Sequence, residues 1–198
     1  MKFTIDQIAI CPSDPVAAKK LLSEMGAVEW AEDHVVAKGS IMGKEGLTNQ
    51  ADLSFNYDLL NGNEFEVLHY TRGKAWTNTP DRANSVSHLG MHVGADELEK
   101  WRAFFKERNV GVAQEVFTQS HTNPAIAGKR KYNYVIFDTK AILGVDLKFI
   151  VRLMLVEDIT VECLVCGRRS NVKSDQFHGH AECGHCEETT NHIKVANE

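Results

Sequence analysis

The feature that most restricts the fold of this chain is an internal repeat in its first 155 residues. Residues 5–11 can be laid over residues 86–92 at an offset of 81 positions, and both segments alternate apolar and polar side chains before a helix start. Alternation of this kind predicts a β-strand with one buried face. Self-similarity at so long a period predicts that one supersecondary unit is built twice.

Each copy of the repeat predicts a strand, a helix and three further strands. The first helix is expected to start near Ser13-Asp14-Pro15, a capping residue before a first-turn proline, and the second near Asp96. The expected later strands are 29–38, 51–58 and 64–70 in the first copy and 111–118, 132–138 and 144–152 in the second. The repeat therefore predicts an α+β domain over 1–155, made of two βαβββ modules at about 3–71 and 86–153.

Two Cys-x-x-Cys pairs define the tail of the chain, at 160–198. Cys163 and Cys166 form the first pair and Cys183 and Cys186 the second, with sixteen residues between the pairs. Two residues between cysteines let one turn aim both sulfurs at one ion, and two such turns complete a tetrahedral thiolate shell. We expect a structural zinc ribbon and rank disulfides or a redox pair below it, because cytoplasmic thiols stay reduced. The alternative ligands nearby are His178, His180 and His185.

The bulk composition argues against several classes of protein. The net charge is −5 and no long basic run occurs, which argues against general nucleic-acid coating. No apolar run reaches the roughly 18 residues of a membrane span, and the first ten residues do not resemble a signal peptide. We therefore expect a soluble, cytoplasmic protein without membrane partners.

Strand alternation predicts one apolar face and one polar face in each strand of the repeat. Gln7 on the first strand and His88 on the fifth occupy equivalent repeat positions, and so do Glu66 on the fourth and Asp146 on the eighth. A pseudo-twofold axis between the modules would bring these four side chains toward one centre. The set offers one imidazole nitrogen and three oxygens, which suits nickel, cobalt, manganese, iron or magnesium and also accepts zinc.

The repeat resembles the vicinal oxygen chelate superfamily, which includes glyoxalase I, extradiol dioxygenases and the bleomycin- and fosfomycin-resistance proteins. The resemblance covers about residues 3–153 and rests on the motifs at 5–10, 21–26, 65–68, 87–93 and 145–147. It implies a glyoxalase-like fold with a metal held from the first, fourth, fifth and eighth strands, here by Gln7, Glu66, His88 and Asp146. It also implies a lyase or isomerase acting on a small oxygenated substrate, in which the metal stabilises an enolate and a carboxylate moves the proton. Glu66 is the expected base, with Asp146 second.

Two residues depart from the patterns of that superfamily. Asp146 is one methylene shorter than the glutamate common in glyoxalase-like members, and Gln7 replaces a histidine of the extradiol dioxygenases, which argues against that chemistry. Two alternatives stay open. One is a metal-free, non-catalytic small-molecule-binding protein of the bleomycin-resistance type, and the other is an adaptor that contacts a protein or a nucleic acid through the ribbon. A homodimer is compatible with either.

Two polar loops are expected at the mouth of a cavity. The segment 120–132 carries Lys129 and Arg130, which, with His92 on the inner face of the fifth strand, are the expected substrate contacts. For Lys129 and Arg130 the alternative is the solvated base of a loop. For His92 the alternatives are a proton shuttle, another metal ligand or a structural cavity histidine. The glycine-rich segment 39–50 is the expected lid.

Overall fold

The computed structural model describes residues 1–72, 85–120, 122–123, 130–154, 158–173, 180–186 and 188–195. The helices are α1 (Pro15–Glu24), α2 (Ala95–Lys106) and α3 (Lys140–Leu143). The strands are β1 (Gln7–Cys11), β2 (Ala31–Ile41), β3 (Lys44–Leu60), β4 (Asn63–Arg72), β5 (Ser85–Val93), β6 (Val112–Ser120), β7 (Arg130–Phe137), β8 (Asp146–Met154), β9 (Asp158–Cys163), β10 (Arg169–Lys173), β11 (His180–Cys183) and β12 (Glu188–Lys194). The chain divides into two compact units, Met1–Leu153 and Met154–Glu198. None of the helices in the described residues is long and apolar enough to cross a membrane.

The first unit is a closed barrel of eight strands in the order β1-β4-β3-β2-β6-β7-β8-β5. Each module contributes four neighbouring strands and contains one parallel pair, β1 with β4 and β5 with β8. Two antiparallel pairs join the modules, β1 with β5 and β2 with β6, and these close the barrel within one chain. The two βαβββ modules predicted by the repeat are therefore confirmed, and the fold is glyoxalase-like.

Both long helices start within one residue of the predicted positions. The Oδ1 atom of Asp14 accepts a hydrogen bond from the backbone N–H of Ala17 at 2.9 Å and so caps α1. On α2, Trp101 and Phe105 pack against Phe149 of β8, with ring centroids 5.3 and 6.0 Å from that ring. Burying one such side chain contributes about 1.5–3 kcal/mol, so this aromatic core anchors α2 to the sheet.

Two features of the first unit differ from the sequence-based expectation. The segment 39–50, expected to be a lid, belongs to the β2–β3 hairpin, in which Ile41 pairs with Lys44. Its turn residues Met42 and Gly43 have φ values of 50° and 72°, as in the type I′ turns that continue the twist of the strands. The sequence does not predict α3, because a helix of four residues carries no periodicity.

The second unit is a four-stranded antiparallel sheet in the order β10-β9-β12-β11. Its buried side chains, within the described part of the unit, are those of Ile159, Val161, Cys163, Cys183, Thr190 and His192. So small a core supplies little hydrophobic stabilisation, and units of this size need a further source of stability such as a metal.

Candidate functional site

Four buried polar side chains meet inside the barrel. Gln7 of β1, Glu66 of β4, His88 of β5 and Lys148 of β8 are each at most 5% exposed. The Oε1 atom of Gln7 accepts hydrogen bonds from Nε2 of His88 at 3.0 Å and from Nζ of Lys148 at 3.0 Å. The Oε2 atom of Glu66 lies 3.3 Å from Nε2 of His88 and 3.6 Å from Nζ of Lys148. We refer to these four residues as the central cluster.

Strand pairing explains why the central cluster forms. β1 lies between β4 and β5, and β8 is the other neighbour of β5, so the four strands are adjacent. Gln7 pairs with Glu64 on one side and with Gly90 on the other. A Cβ atom at Gly90 would lie 3.0 Å from both Cβ and Oε1 of Gln7, closer than side chains normally approach. Glycine at this position therefore leaves the space that the Gln7 side chain fills.

Asp146, the fourth metal ligand expected from the sequence, does not join the central cluster. Its Oδ1 atom accepts a hydrogen bond at 3.2 Å from the backbone N–H of Lys140, the first residue of α3. Within the described residues, Glu66, His88 and Asp146 do not come close enough to share a metal ion. Lys148, two positions further along the same face of β8, reaches the cluster instead. Glu66, His88 and Asp146 are therefore not brought together as one ligand set, and one oxygen of Asp146 is instead engaged by the short helix.

Lys148 influences the charge states of its neighbours. Burial acts to raise the pKa of Glu66, but the Lys148 ammonium and the adjacent His88 outweigh burial and lower that pKa below its usual value. Burial, with a contribution from Lys148, lowers the pKa of His88 to about 4. At neutral pH the central cluster therefore contains a carboxylate, an ammonium and a neutral imidazole, and its charges balance.

Two buried oxygens, Oε2 of Glu66 and Oδ1 of Asn49, have no hydrogen-bond partner among the described residues. Both residues line a small cavity of about 30 Å³, together with Gln114 and Tyr134. This volume is large enough for one water molecule. A water molecule can donate two hydrogen bonds, which is the number that these two acceptors lack.

Gln7 also lines a larger cavity of about 360 Å³, which we call the barrel cavity. Its Nε2 atom donates a hydrogen bond to Oε2 of Glu64 at 2.8 Å, so a single amide connects the central cluster to this cavity. The other polar and aromatic residues of its wall include Asp33, Tyr57, His92, Arg130, Tyr132, Tyr134 and Arg152. A volume of this size falls in the range of small-molecule sites.

Glu64 is the carboxyl group of the barrel cavity whose pKa is shifted. Burial raises the pKa of Glu64 above its usual value and the neighbouring Glu66 adds to the rise, against opposing effects of His92, Lys148 and the hydrogen bond from Gln7. A carboxyl group whose pKa is moved toward neutral pH is suited to take up and release a proton.

Two arginines give the barrel cavity positive charge. Arg130 of β7 and Arg152 of β8 line it, and neither guanidinium is paired with a carboxylate in the part of the chain that the structure describes. Asp33, also in the wall, accepts hydrogen bonds from the hydroxyls of Ser120 at 2.8 Å and Thr122 at 3.0 Å. The Asp33 carboxylate is therefore engaged by local donors at the end of β6.

The substrate contacts expected from the sequence fall partly in this cavity. His92 and Arg130 line it, whereas Lys129 lies outside the described residues. The backbone N–H of His92 donates to Oδ2 of Asp6 at 2.8 Å, which fixes this end of β5.

Several residues of these sites are not among the sequence-based predictions, and the charged ones on β4 and β8 are Glu64, Lys148 and Arg152. Alternation places Glu64 on the strand face of Glu66, and Lys148 and Arg152 on the strand face of Asp146. The signal was therefore present in the sequence. Alternation predicts on which face of a strand a side chain lies but not its position along the barrel axis. That position decides which side chain reaches the central cluster.

The second unit brings its four cysteines together. The Sγ atoms of Cys163, Cys166, Cys183 and Cys186 lie within 4.8 Å of one another, and those of Cys166 and Cys183 are 3.6 Å apart. Tetrahedral zinc thiolates place their sulfurs about 3.8 Å apart. The cluster can therefore hold one metal ion. Of the alternative ligands, His185 does not join this group, and His178 and the side chain of His180 lie outside the described residues.

The four thiols influence one another's ionisation, which is harder for Cys166 and Cys186 and easier for Cys163 and Cys183. Burial and the sulfurs of the other three cysteines raise the pKa of Cys186 to about 12. The hydroxyl of Thr190, 3.1 Å from Sγ of Cys163, is the main cause that lowers the pKa of Cys163 to about 6. Four thiolates at this separation require a cation to balance them, which is the electrostatic condition of a metal site.

Comparisons with known proteins find similarity in structure rather than in sequence. No family model matches the chain, and no curated protein matches it significantly. A hypothetical protein from Bacillus halodurans is similar over 78% of this chain and 98% of its own, with 13% identity and a TM-score of 0.43. A methylmalonyl-CoA epimerase variant from Streptomyces coelicolor, in complex with 2-nitronate-propionyl-CoA, is similar over 74% of this chain and 95% of its own, with 13% identity and a TM-score of 0.40.

A glyoxalase family protein from Bacillus cereus is similar over 77% of this chain and 96% of its own, with 10% identity and a TM-score of 0.22. At these identities and TM-scores the matches carry no argument about activity. The assignment of a glyoxalase-like fold rests on the strand order of the barrel.

Proposed function

We propose that the first unit binds a small organic anion in the barrel cavity without the help of a metal ion. The observation that carries this proposal is that Arg130 and Arg152 line one cavity and that neither has a carboxylate partner among the described residues. An unpaired guanidinium at a concave site is a strong receptor for a carboxylate or a phosphate, because it donates two parallel hydrogen bonds.

The carboxyl groups in the wall of the cavity leave the guanidiniums of Arg130 and Arg152 available to a ligand. The carboxylate of Asp33 is engaged by the hydroxyls of Ser120 and Thr122. Burial, more than any other cause, raises the pKa of Glu64 above its usual value. The two guanidiniums are therefore the groups of the wall that are available to attract an anion.

The aromatic residues of the wall indicate what the body of the ligand is like. Tyr132 and Tyr134 stack with ring centroids 5.7 Å apart and an interplanar angle of 24°, and Phe55 and Tyr57 line the same cavity. Flat aromatic walls favour planar or apolar groups. We therefore infer a ligand with one acidic group on a planar or apolar body.

A second candidate function, proton transfer within the bound ligand, is favoured by Glu64. Its carboxylate can remove a proton from the carbon next to a carbonyl, and a guanidinium can stabilise the enolate formed. Return of the proton to the other face of that carbon, or to the neighbouring carbon, restores the carboxylate and gives an isomerised product. This candidate keeps the isomerase class implied by the superfamily resemblance, but it moves the base from Glu66, which is paired with Lys148, to Glu64.

Binding is tested with phenylpyruvate as the probe and its uncharged amide as the reference ligand, by calorimetry in metal-free buffer. The proposal predicts that phenylpyruvate binds, that the amide does not, and that added Mn²⁺ changes nothing. Replacing Arg130 and Arg152 together by glutamine should weaken binding by about tenfold or more for each guanidinium removed. The matched control is Arg108→Gln, since Arg108 is exposed just after α2.

Equal affinity for the acid and the amide, or for the wild type and the double variant, would overturn the binding proposal. Turnover is tested separately, by NMR detection of deuterium uptake at the carbon next to the carbonyl of phenylpyruvate. Glu64→Gln should retain binding and lose the exchange that exceeds the uncatalysed rate. Binding without excess exchange in the wild type would leave the first function standing and reject the second.

We also propose that the ion held by Cys163, Cys166, Cys183 and Cys186 is zinc in a structural role. Four thiolates close the tetrahedral shell and leave no position for a substrate. The size of the buried core of this unit supports the same role, because metal binding then supplies folding energy.

A further inference from the structure

We propose that the ammonium group of Lys148 occupies the place of a divalent metal ion in the barrel and is the group that excludes such an ion. The superfamily resemblance implies a metal ion held from the first, fourth, fifth and eighth strands of the barrel. In this protein the positive charge inside the barrel is supplied by the side chain of Lys148. This inference concerns the central cluster and does not depend on the anion proposed for the barrel cavity.

The three neutral or acidic members of the central cluster are spaced as ligands of one ion would be. Oε1 of Gln7 is 3.0 Å from Nε2 of His88, and that nitrogen is 3.3 Å from Oε2 of Glu66. Ligands about 2.1 Å from a shared ion are separated by about 3.0–3.4 Å in tetrahedral or octahedral geometry. The donor atoms are therefore already close to the arrangement that a metal requires.

Lys148 is the reason why these donors do not fit a divalent ion as they stand. Its Nζ atom is 3.0 Å from Oε1 of Gln7 and 3.6 Å from Oε2 of Glu66, so an ion that used both oxygens would have to share them with a positive charge. Nε2 of His88 must carry a proton to donate to Oε1 of Gln7, and this proton blocks its use as a metal ligand.

Lys148 is held in place by its contacts within the described part of the barrel. Its side chain is buried, and its Nζ atom lies 4.4 Å from the centroid of the Tyr134 ring, a cation–π contact. The small cavity beside it is also lined by Asn49 and Gln114, but neither of these offers the ammonium a carboxylate. Moving an ammonium away from its carboxylate within a buried site is unfavourable.

The charge balance of the central cluster leads to the same conclusion. One carboxylate, that of Glu66, lies 3.6 Å from one ammonium, that of Lys148, and the other two members of the cluster are an imidazole and an amide. A divalent ion added to this set would leave two uncompensated positive charges in a buried site. Removing the ammonium would instead leave one carboxylate, one imidazole and one amide oxygen facing a space of about the size of an ion.

Mn²⁺ is the probe for the test, because oxygen and imidazole donors accept it whereas the thiolates of the cysteine cluster prefer zinc. The full chain, loaded with one equivalent of zinc, is titrated with Mn²⁺ by calorimetry and by electron paramagnetic resonance. Wild type should take up no Mn²⁺ in the barrel. Lys148→Met should take up one ion per chain and gain thermal stability from it, and His88→Ala in the same background should abolish the uptake.

Two control variants separate the charge of Lys148 from general effects. Lys148→Arg keeps the charge and should still exclude Mn²⁺. Lys131→Met removes an exposed lysine from β7 and should also bind none. If Lys148→Met does not fold alone, Lys148→Glu provides a fourth ligand, and its folding should then depend on Mn²⁺, as circular dichroism with and without the ion will report.

Two results would overturn the inference. The first is uptake of Mn²⁺ by the wild type that is lost in His88→Ala, since it would show that Lys148 does not exclude the ion, and it needs no variant at position 148. The second is the absence of Mn²⁺ binding by both Lys148→Met and Lys148→Glu under conditions in which the wild type is folded, since the donors would then not form a metal site.

Discussion

The Nζ atom of Lys148 donates a hydrogen bond to Oε1 of Gln7 across 3.0 Å, although 141 residues separate the two in the chain. The contact joins the last strand of the barrel to its first. The same Gln7 amide donates through Nε2 to Glu64 in the wall of the barrel cavity. Its orientation is therefore fixed from both sides, and this side chain is one link between the central cluster and the ligand cavity.

The position of the Gln7 amide depends on Gly90, which provides the first prediction. Gly90→Ala would place a methyl group 3.0 Å from Cβ and Oε1 of Gln7, and the amide would have to move away from Lys148 and Glu64. Overpacking of this kind costs about 1–3 kcal/mol. Urea denaturation should therefore report a loss of this size in the unfolding free energy.

Gly111→Ala is the matched control for this substitution. A Cβ atom at Gly111 meets no atom of the described residues within 4 Å, so the unfolding free energy should change by less than about 0.5 kcal/mol. Equal effects of the two substitutions would contradict a specific role of Gly90 in seating Gln7.

The second prediction concerns the acid sensitivity of the barrel. His88 has a pKa of about 4 in the folded protein, because of burial and Lys148, and an ordinary value of about 6.5 when unfolded. Between these values the unfolded chain binds a proton that the folded chain does not. The contribution of His88 to stability is therefore fully present above pH 6.5 and falls by about 3 kcal/mol as the pH drops to 4.

The measurement is urea denaturation from pH 7 to pH 4.5, in the wild type and in His88→Gln. Glu64 acts in the opposite direction, because its raised pKa makes the folded state take up a proton as the pH falls. The readout is therefore the difference between the two proteins at each pH. A constant difference across this range would show that His88 is not held neutral by its surroundings.

The repeat predicts the barrel because it specifies the same βαβββ module twice. One symmetric pairing of the two modules is then enough to close the sheet into a barrel. The same reasoning predicts that the side chains of Gln7, Glu66 and His88 lie close together, and they do. Asp146 was the expected fourth member because β8 carries it on the inner face. Both Asp146 and Lys148 satisfy that criterion, however, and alternation alone does not distinguish them.

The choice between them depends on structure that leaves no pattern in the sequence. In the pairing of β5 with β8, His88 lies beside Asp146, and Lys148 lies beside Gly90, the residue that makes room for Gln7. α3 then engages Asp146 through the backbone N–H of Lys140. Gly90 and the four-residue helix α3 thus favour Lys148 over Asp146 as the β8 residue of the central cluster.

The third prediction concerns the metal of the second unit. Purified protein should contain one zinc per chain, and Cys163→Ser should lose it, because three thiolates and a hydroxyl bind zinc less tightly than four thiolates. A chelator should unfold Met154–Glu198 while the barrel retains its own unfolding transition, as monitored by tryptophan fluorescence from Trp101. The buried Cys11, which belongs to the barrel, is the matched control, and Cys11→Ser should keep the zinc.

Metal analysis by mass spectrometry of the intact chain decides this point. A zinc content unchanged in Cys163→Ser would exclude the cysteine cluster as the site. Two zinc ions in the wild type, with one lost in His88→Ala, would also contradict the exclusion of metal by Lys148.

The last prediction links the pKa of Glu64 to ligand binding. A carboxylate ligand held by Arg130 and Arg152 shares the barrel cavity with Glu64, so a charged Glu64 repels it and a neutral Glu64 does not. Affinity for phenylpyruvate should therefore decrease as the pH rises through the raised pKa of Glu64. In Glu64→Gln the side chain stays neutral, and affinity should remain at its low-pH value over the same range.

Glu99→Gln is the control for this measurement, since Glu99 is an exposed carboxyl on α2 that pairs with Arg102 and lies outside the cavity wall. It should reproduce the pH dependence of the wild type. A falling affinity that persists in Glu64→Gln would assign the pH dependence to a group other than Glu64.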